Sequence, residues 1–172
     1  MNNISVLLLN GAPGSGKSTL ANEISEQLRK ADVAHAVIDL DEFALIYPSE
    51  VHLRNSLKWK NLASVWPNYA ELGELKVIIP ILIDTTEDLA AIKRAAPGKS
   101  FVVCALSAPL SILKERVTER ESNEYWRARL RSLVEGYQKR DKGEFADFRV
   151  TTHDKTITET TRGIARRVGW LD

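Results

Sequence analysis

Residues Gly11-Ala12-Pro13-Gly14-Ser15-Gly16-Lys17-Ser18 satisfy the pattern G-x-x-x-x-G-K-[ST] at every defined position. The chemistry this spacing serves is the capture of one anion by many converging backbone N–H groups. Gly14 and Gly16 can take positive φ and carry no Cβ, so the chain can wrap closely around a β-phosphate. Lys17 supplies a point charge that reaches the β- and γ-phosphates, and the Ser18 hydroxyl is placed to ligate Mg²⁺. Thr19 stands in the same first helical turn and completes the candidate nucleotide-binding set. A helix opening here adds its positive dipole end and its free N–H groups.

A second group of candidates is acidic. The run Val37-Ile38-Asp39-Leu40-Asp41-Glu42-Phe43 carries two carboxylates two residues apart. If the strand persists through them, both point the same way near the carboxyl edge of a sheet. There a carboxylate can take the proton of an attacking hydroxyl or hold water around Mg²⁺. The alternative is that the pair ends a strand and caps the next helix. Asp39 is the better placed base and Asp41 stands close behind, while Glu42 reads as solvated. Asp84, after Ile81-Leu82-Ile83, is a further metal candidate of Walker-B type. Thr85 and Thr86 beside it fit a turn or a helix cap equally well, so it ranks below the earlier pair. Ser18, Asp41 and Asp84 thus form the candidate metal set.

The elements that must position these residues follow an α/β rhythm. Short continuous apolar runs lie at Val6–Leu9, Ala36–Ile38, Val77–Ile79 with Ile81–Ile83, and Phe101–Leu106, with a weaker one at Phe148–Val150. Unbroken rather than alternating runs are those of strands covered on both faces. Pro80 removes a ladder donor and predicts a bulge or an early strand end. Helical periodicity appears at Leu20/Ile24/Leu28, at Leu89 to Ala96, from Ile112 to Val117, from Leu130 to Tyr137, and from Ile157 to Val168, closed by Gly169. Residues 48–73 fit neither period cleanly and are expected to form helices that cap one end of the sheet, where an acceptor would sit.

Composition bounds the rest. The 172 residues carry a formal net charge of +1, with 44% hydrophobic and 27% charged residues. That size and balance predict one soluble domain and argue against a nucleic-acid or acidic-membrane partner. The lone Cys104 fits a buried position in a chain kept in a reducing, cytoplasmic compartment. No apolar stretch is long enough to span a bilayer, and the N-terminal run lacks the features of a secretory signal.

GTPases carry an Asn-Lys-x-Asp segment and transporter ATPases a Leu-Ser-Gly-Gly-Gln signature, and neither is present. The phosphate loop, Asp39-x-Asp41, and the segment Leu106-x-Ala108-Pro109 through Arg116 and Arg120 resemble the adenylylsulfate kinase, gluconate kinase, shikimate kinase and chloramphenicol phosphotransferase group. Ile38-Asp39-Leu40-Asp41, Asn61-Leu62-Ala63 and Gly169-Trp170 look most like ATP-binding proteins of actinobacterial type. The resemblance spans nearly the whole chain, although only the phosphate loop is a specific motif. It implies a three-layer P-loop sandwich: a parallel five-stranded sheet ordered 2-3-1-4-5 with helices on both faces. It implies transfer of the γ-phosphoryl of ATP, with Mg²⁺, to a hydroxyl of a small metabolite or antibiotic. It further implies an arginine against the adenine and another meeting the phosphates from a lid at about 116–142, places that Arg116 and Arg120 match. Guanidinium suits both tasks, by stacking and by neutralising charge. Lys155, after the fifth strand, falls where relatives contact the adenine.

Several features admit plainer readings. Arg54, Lys58 and Lys60 could hold an anionic acceptor, but fit a solvated basic face better. Trp59, Trp66 and Tyr69 read as packing rather than a pocket. Arg127, Arg129, Arg131, Lys139, Arg140 and Lys142 give the later helix a basic side, and His35, His52 and His153 lack metal-ligand spacing. Two other functions stay open on the sequence: a nucleotide-dependent switch module without an acceptor, and a polynucleotide end kinase, which the near-neutral charge disfavours.

Overall fold

The computed structural model describes residues 3–47, 50–140 and 145–172. Pro48 and Lys142, together with the side chains of His52, Lys139 and Arg140, lie outside the described set.

Five strands form one parallel sheet: β1 (Ile4–Asn10), β2 (His35–Val37), β3 (Leu75–Ile81), β4 (Ser100–Ser107) and β5 (Phe148–Thr151). Their order is β2-β3-β1-β4-β5, as the resemblance implied. Because every pairing is parallel, all five strands end at the same edge of the sheet. That edge gathers the phosphate loop, Asp39, Asp84, the turn after β4 and Thr152.

Alternate residues of the central strands feed opposite faces. Ile4, Val6 and Leu8 of β1 join Val77, Ile79 and Ile81 of β3 in one core. Helix α2 (Val51–Ala70) and helix α3 (Thr86–Ala95) cover that face. Leu7 and Leu9 pack on the other side with Cys104, Leu106 and Phe148. There α1 (Lys17–Lys30) contributes Leu20, Ala21, Ile24 and Leu28, one stripe of its surface. Helix α6 (Ile157–Arg167) lies beside it, opened by a capping box between Thr156 and Glu159. At its end Gly169, at φ 69°, turns the chain so that Trp170 N–H reaches Ala165 O at 2.9 Å. The Trp170 ring then sits in the same core. Burial also raises the Cys104 thiol to about 12, consistent with a packing residue. A third cluster joins α4 (Leu110–Arg120) to α5 (Glu124–Arg140) through Leu113, Val117, Val134 and Tyr137, with Ala12 of the phosphate loop beneath.

Three expectations are corrected. Pro80 makes no bulge, and β3 continues beyond it, with Pro80 paired to Leu9 and Ile81 to Asn10. The reason is directional. Lys76 N–H donates to Ala34 O and Ile78 O accepts from Ile38 N–H, so even-numbered positions of β3 present their polar groups to β2. Pro80 is the next such position, and β2 has already ended. The missing donor therefore ends one ladder and leaves the other whole. Second, residues 51–70 form one continuous helix that covers a face of the sheet, not a cap at its end. Leu62 and Trp66 are buried there, with Trp59, Tyr69 and Ala70 packed beside them, a helical stripe that the surrounding Asn and Lys residues obscure in the sequence. Third, β2 stops at Val37, so Asp39 and Asp41 do not share a strand face. Asp39 Oδ1 instead accepts Asp41 N–H at 3.0 Å, and Asp41 opens the single 3-10 turn Glu42–Ala44.

Candidate active site

Between β1 and α1 the chain turns through Gly14 at φ 80° and Gly16 at φ 92°. Gly14 also has no room for a side chain, since a Cβ there would stand 2.7 Å from Leu113 O. The loop is thus seated against α4 as well as joined to β1. The Lys17 ammonium folds back on its own loop, donating to Gly11 O at 2.8 Å and to Ala12 O at 3.1 Å. Burial lowers its pKa to about 8; the charges of Asp41 and Asp39 oppose that shift, and those of Arg120 and Lys58 add to it. The Ser15 hydroxyl is fully buried with no hydrogen-bond partner, so the loop holds polar capacity beyond what its own contacts use.

Across the loop lies the acidic segment. Ser18 Oγ donates to Asp39 Oδ2 at 3.3 Å, which brings together a hydroxyl and a carboxylate from different elements. Mg²⁺ takes few protein ligands and keeps several waters, and the exposed Ser18 hydroxyl beside a phosphate loop fits that habit. Among the described residues no group of three or more His, Cys, Asp and Glu side chains converges as an all-protein metal cage. Asp41 is engaged otherwise: Lys58 Nζ donates to its Oδ1 at 2.5 Å. Desolvation pushes the Asp41 carboxyl up, but the Lys58 hydrogen bond and charge, with Lys17 and Arg54 behind them, hold it below its ordinary value. Asp84 lies in the same cleft, and its position is fixed by the buried Asn10, whose Oδ1 accepts the N–H of neighbouring Ile83 at 2.9 Å. The cap of α3 falls to Thr85, which accepts Asp88 N–H, so Asp84 is not the helix cap.

These groups line a cleft of about 420 Å³. Its floor is Pro13, Gly14 and Gly16 to Thr19, and one wall is the α2 face carrying Arg54, Asn55, Lys58 and Trp59. The opposite wall is Arg120 at the end of α4 with Trp126, Arg129, Leu130 and Leu133 of α5. Lys17, Asp41, Asp84 and Arg120 are therefore brought together, with Asp39 tied to them through Ser18. Arg116 is directed elsewhere, donating to Thr152 O at 2.6 Å, Thr152 Oγ1 at 3.1 Å and Gly14 O at 3.3 Å. It straps the phosphate loop to the segment after β5. Lys155 is exposed on that segment and does not line the cleft, and neither does Lys60. Trp66 is committed to the core, its Nε1 donating to Pro97 O at 2.9 Å.

Sequence reasoning missed Asn55, Asp88 and Trp126 as lining residues. Asn55 was accessible in principle, being one position after Arg54 and four before Trp59, on the same helix face. Trp126 was not, because only the packing of α5 on α4 brings it, still 44% exposed, to the rim of the cleft.

No protein-family model matches the chain, and no curated protein matches it either. Solved structures do match over nearly the whole length. The Mycobacterium tuberculosis APS kinase CysC, in complex with AMPPNP and APS, is 18% identical over 98% of this chain and 99% of its own, with a TM-score of 0.68. A gluconokinase from Sinorhizobium meliloti 1021 is 18% identical over 98% and 96%, with a TM-score of 0.65. The shikimate kinase from Acinetobacter baumannii, in complex with shikimate, is 16% identical over 97% and 94%, with a TM-score of 0.61. The chain has the α/β fold of P-loop small-molecule kinases. Among the described residues no helix is long and apolar enough to cross a membrane.

Proposed function

We propose that this protein is a Mg²⁺-ATP-dependent phosphotransferase that moves the γ-phosphoryl of ATP to a hydroxyl of a small molecule. The observation that carries the reading is the meeting of the phosphate loop, with Lys17 at its end, and Ser18, bonded to Asp39 behind it, in one cleft with a separate wall for a second substrate. The backbone N–H groups of Gly14 and of Gly16 to Ser18 hold the β-phosphate, since Pro13 has none and that of Ser15 donates to Ala12 O at 3.1 Å. Lys17 leaves its two loop carbonyls and turns to the β- and γ-oxygens, a short swing because its ammonium already lies over the loop. Magnesium, held by the Ser18 hydroxyl and phosphate oxygens, would neutralise charge on the leaving and transferring groups. Arg120 is the second electrostatic clamp, and Arg116, fixed by Thr152, borders the nucleoside side.

Asp39 takes the acceptor's hydroxyl proton as the acceptor oxygen bonds to the γ-phosphorus. The bond from that phosphorus to the β,γ-bridging oxygen breaks, and ADP leaves with the bonding pair. Asp41, held by Lys58, is the less available base and keeps its charge near Lys17. Helix α5 closes over the acceptor, and its inner residues exclude water. The resemblance favours a cytoplasmic enzyme of this kind.

The test is thermal shift with Mg²⁺-ATP and Mg²⁺-GTP, followed by ADP release across hydroxyl compounds, with Lys17→Ala and Asp39→Asn beside the wild type. Nucleotide stabilisation lost in Lys17→Ala, with acceptor-dependent ADP release lost in Asp39→Asn, is expected. Absence of any nucleotide effect on the wild type would refute the proposal. Nucleotide binding with function intact in Asp39→Asn would point to a switch module.

A further inference from the structure

The wall of the cleft contributed by α2 carries two cations, Arg54 and Lys58, whose charges both act on the single carboxylate of Asp41. Arg54 and Lys58 stand one helical turn apart and both face the cleft, with Asn55 and Trp59 alongside. Lys58 is matched by Asp41 at 2.5 Å. Arg54 is half-buried, yet among the described residues its guanidinium donates no hydrogen bond and forms no ion pair. The carboxylates that share the cleft are already engaged. Asp41 serves Lys58, Asp88 Oδ2 accepts the Thr85 hydroxyl at 2.9 Å, and Asp84 has its own interaction. On the facing wall, Arg129 lies over the Trp126 ring at 5.6 Å and has no carboxylate partner among the described residues.

A half-buried guanidinium without an acceptor is costly unless something else supplies one. Its planar fork suits a carboxylate, or the oxygens of a sulfo or phospho group, through two parallel N–H···O bonds. Lys17 and Arg120 are assigned to the nucleotide phosphates, and Arg54 belongs to the other wall. We propose that the phosphoryl acceptor is an anion: a hydroxyl compound whose carboxylate, sulfo or phospho group is held by Arg54, with Asn55 beside it and Trp59 packing on its carbon frame. The inference rests on the kinase reading above and narrows it to a substrate class. Neutral polyols fit this wall less well, because they supply Arg54 with no anionic partner.

The experiment fills the nucleotide site with Mg²⁺-ADP and titrates malonate, inorganic sulfate and inorganic phosphate while following tryptophan fluorescence. Trp59 and Trp126 both border the cleft. The wild type is expected to respond saturably to at least one of these anions, and Arg54→Gln to need tenfold more or greater. Lys60→Gln, which removes the same charge from the same helix outside the cleft, is expected to match the wild type. The anion that binds best separates carboxylate acceptors from sulfo or phospho acceptors. A parallel turnover panel of hydroxy acids, phosphorylated and sulfated alcohols and neutral polyols is expected to select an anionic member, with KM raised tenfold or more in Arg54→Gln. No anion response in the wild type, an equal response in Arg54→Gln, or preferential turnover of a neutral polyol would each overturn the proposal. Failure of Mg²⁺-ADP itself to bind would instead strike at the kinase reading.

Discussion

Occupation of the phosphate loop must change the protonation of Lys17, and the size of that change follows from the structure. In the free protein its ammonium has only two loop carbonyls, and burial holds its pKa near 8 rather than the ordinary 10.5. Phosphate oxygens at the same place favour the charged form and return it toward its ordinary value. Nucleotide binding should then draw a proton from solvent: about 0.1 per site at pH 7, about 0.5 at pH 8 and about 0.9 at pH 9. The same linkage weakens binding about tenfold between pH 7 and pH 9. Without ligand the sign for folding is the reverse. Between pH 8 and 10.5 the unfolded chain keeps a proton that the folded chain has released, so stability rises with pH across that window. Calorimetric titration of a nonhydrolysable ATP analogue with Mg²⁺, in two buffers of different ionisation enthalpy, reads the uptake directly. Lys17→Met should abolish it. Uptake below about 0.2 at pH 9, or equal uptake in Lys17→Met, would refute the account of the loop lysine.

Gly14→Ala should cost about 2 kcal/mol or more, because it combines positive φ with a Cβ 2.7 Å from Leu113 O. Gly16→Ala, whose Cβ would meet only Leu20 Cγ at 3.9 Å, should cost less, and a reversed order of melting temperatures would contradict the seating of the loop on α4. Asn10→Ala should lower stability by about 1–3 kcal/mol by leaving the Ile83 N–H without its buried acceptor; an unchanged urea midpoint would show that water replaces it. Trp66→Phe should lose about 1–3 kcal/mol through the lost indole hydrogen bond to Pro97 O and the lost ring volume, with nucleotide binding retained when measured below the melting transition.

How legible the molecule was in its sequence depended on how local each determinant is. The phosphate loop is eight consecutive residues whose types the backbone geometry demands, and it could be read whole. The stripe of α1 follows it at once. The relation of Asp39 to Asp41 could not be read, because the end of β2 is set by a proline on a different strand. Asp84 depends on Asn10, which precedes it by more than seventy positions and carries no motif. Arg54 resembles any solvated base on a helix until the neighbours of Lys58 and Asp88 are known. The α2 stripe from Trp59 to Ala70 was visible in principle, but Pro67 and the polar residues between its members hid a single helix.

Pro80 has a meaning for the unfinished chain as well as the finished one. The central strands β1, β3 and β4 are 7, 7 and 8 residues long and almost wholly apolar, whereas the edge strands β2 and β5 have only 3 and 4. Until those short edges dock, the flank of β3 is an open template for another chain. A proline in the middle of Val77 to Ile83 cannot donate in any such pairing, so the segment is a poor seed for intermolecular sheets. The residue that releases β2 from the sheet thus also acts as a gatekeeper against aggregation.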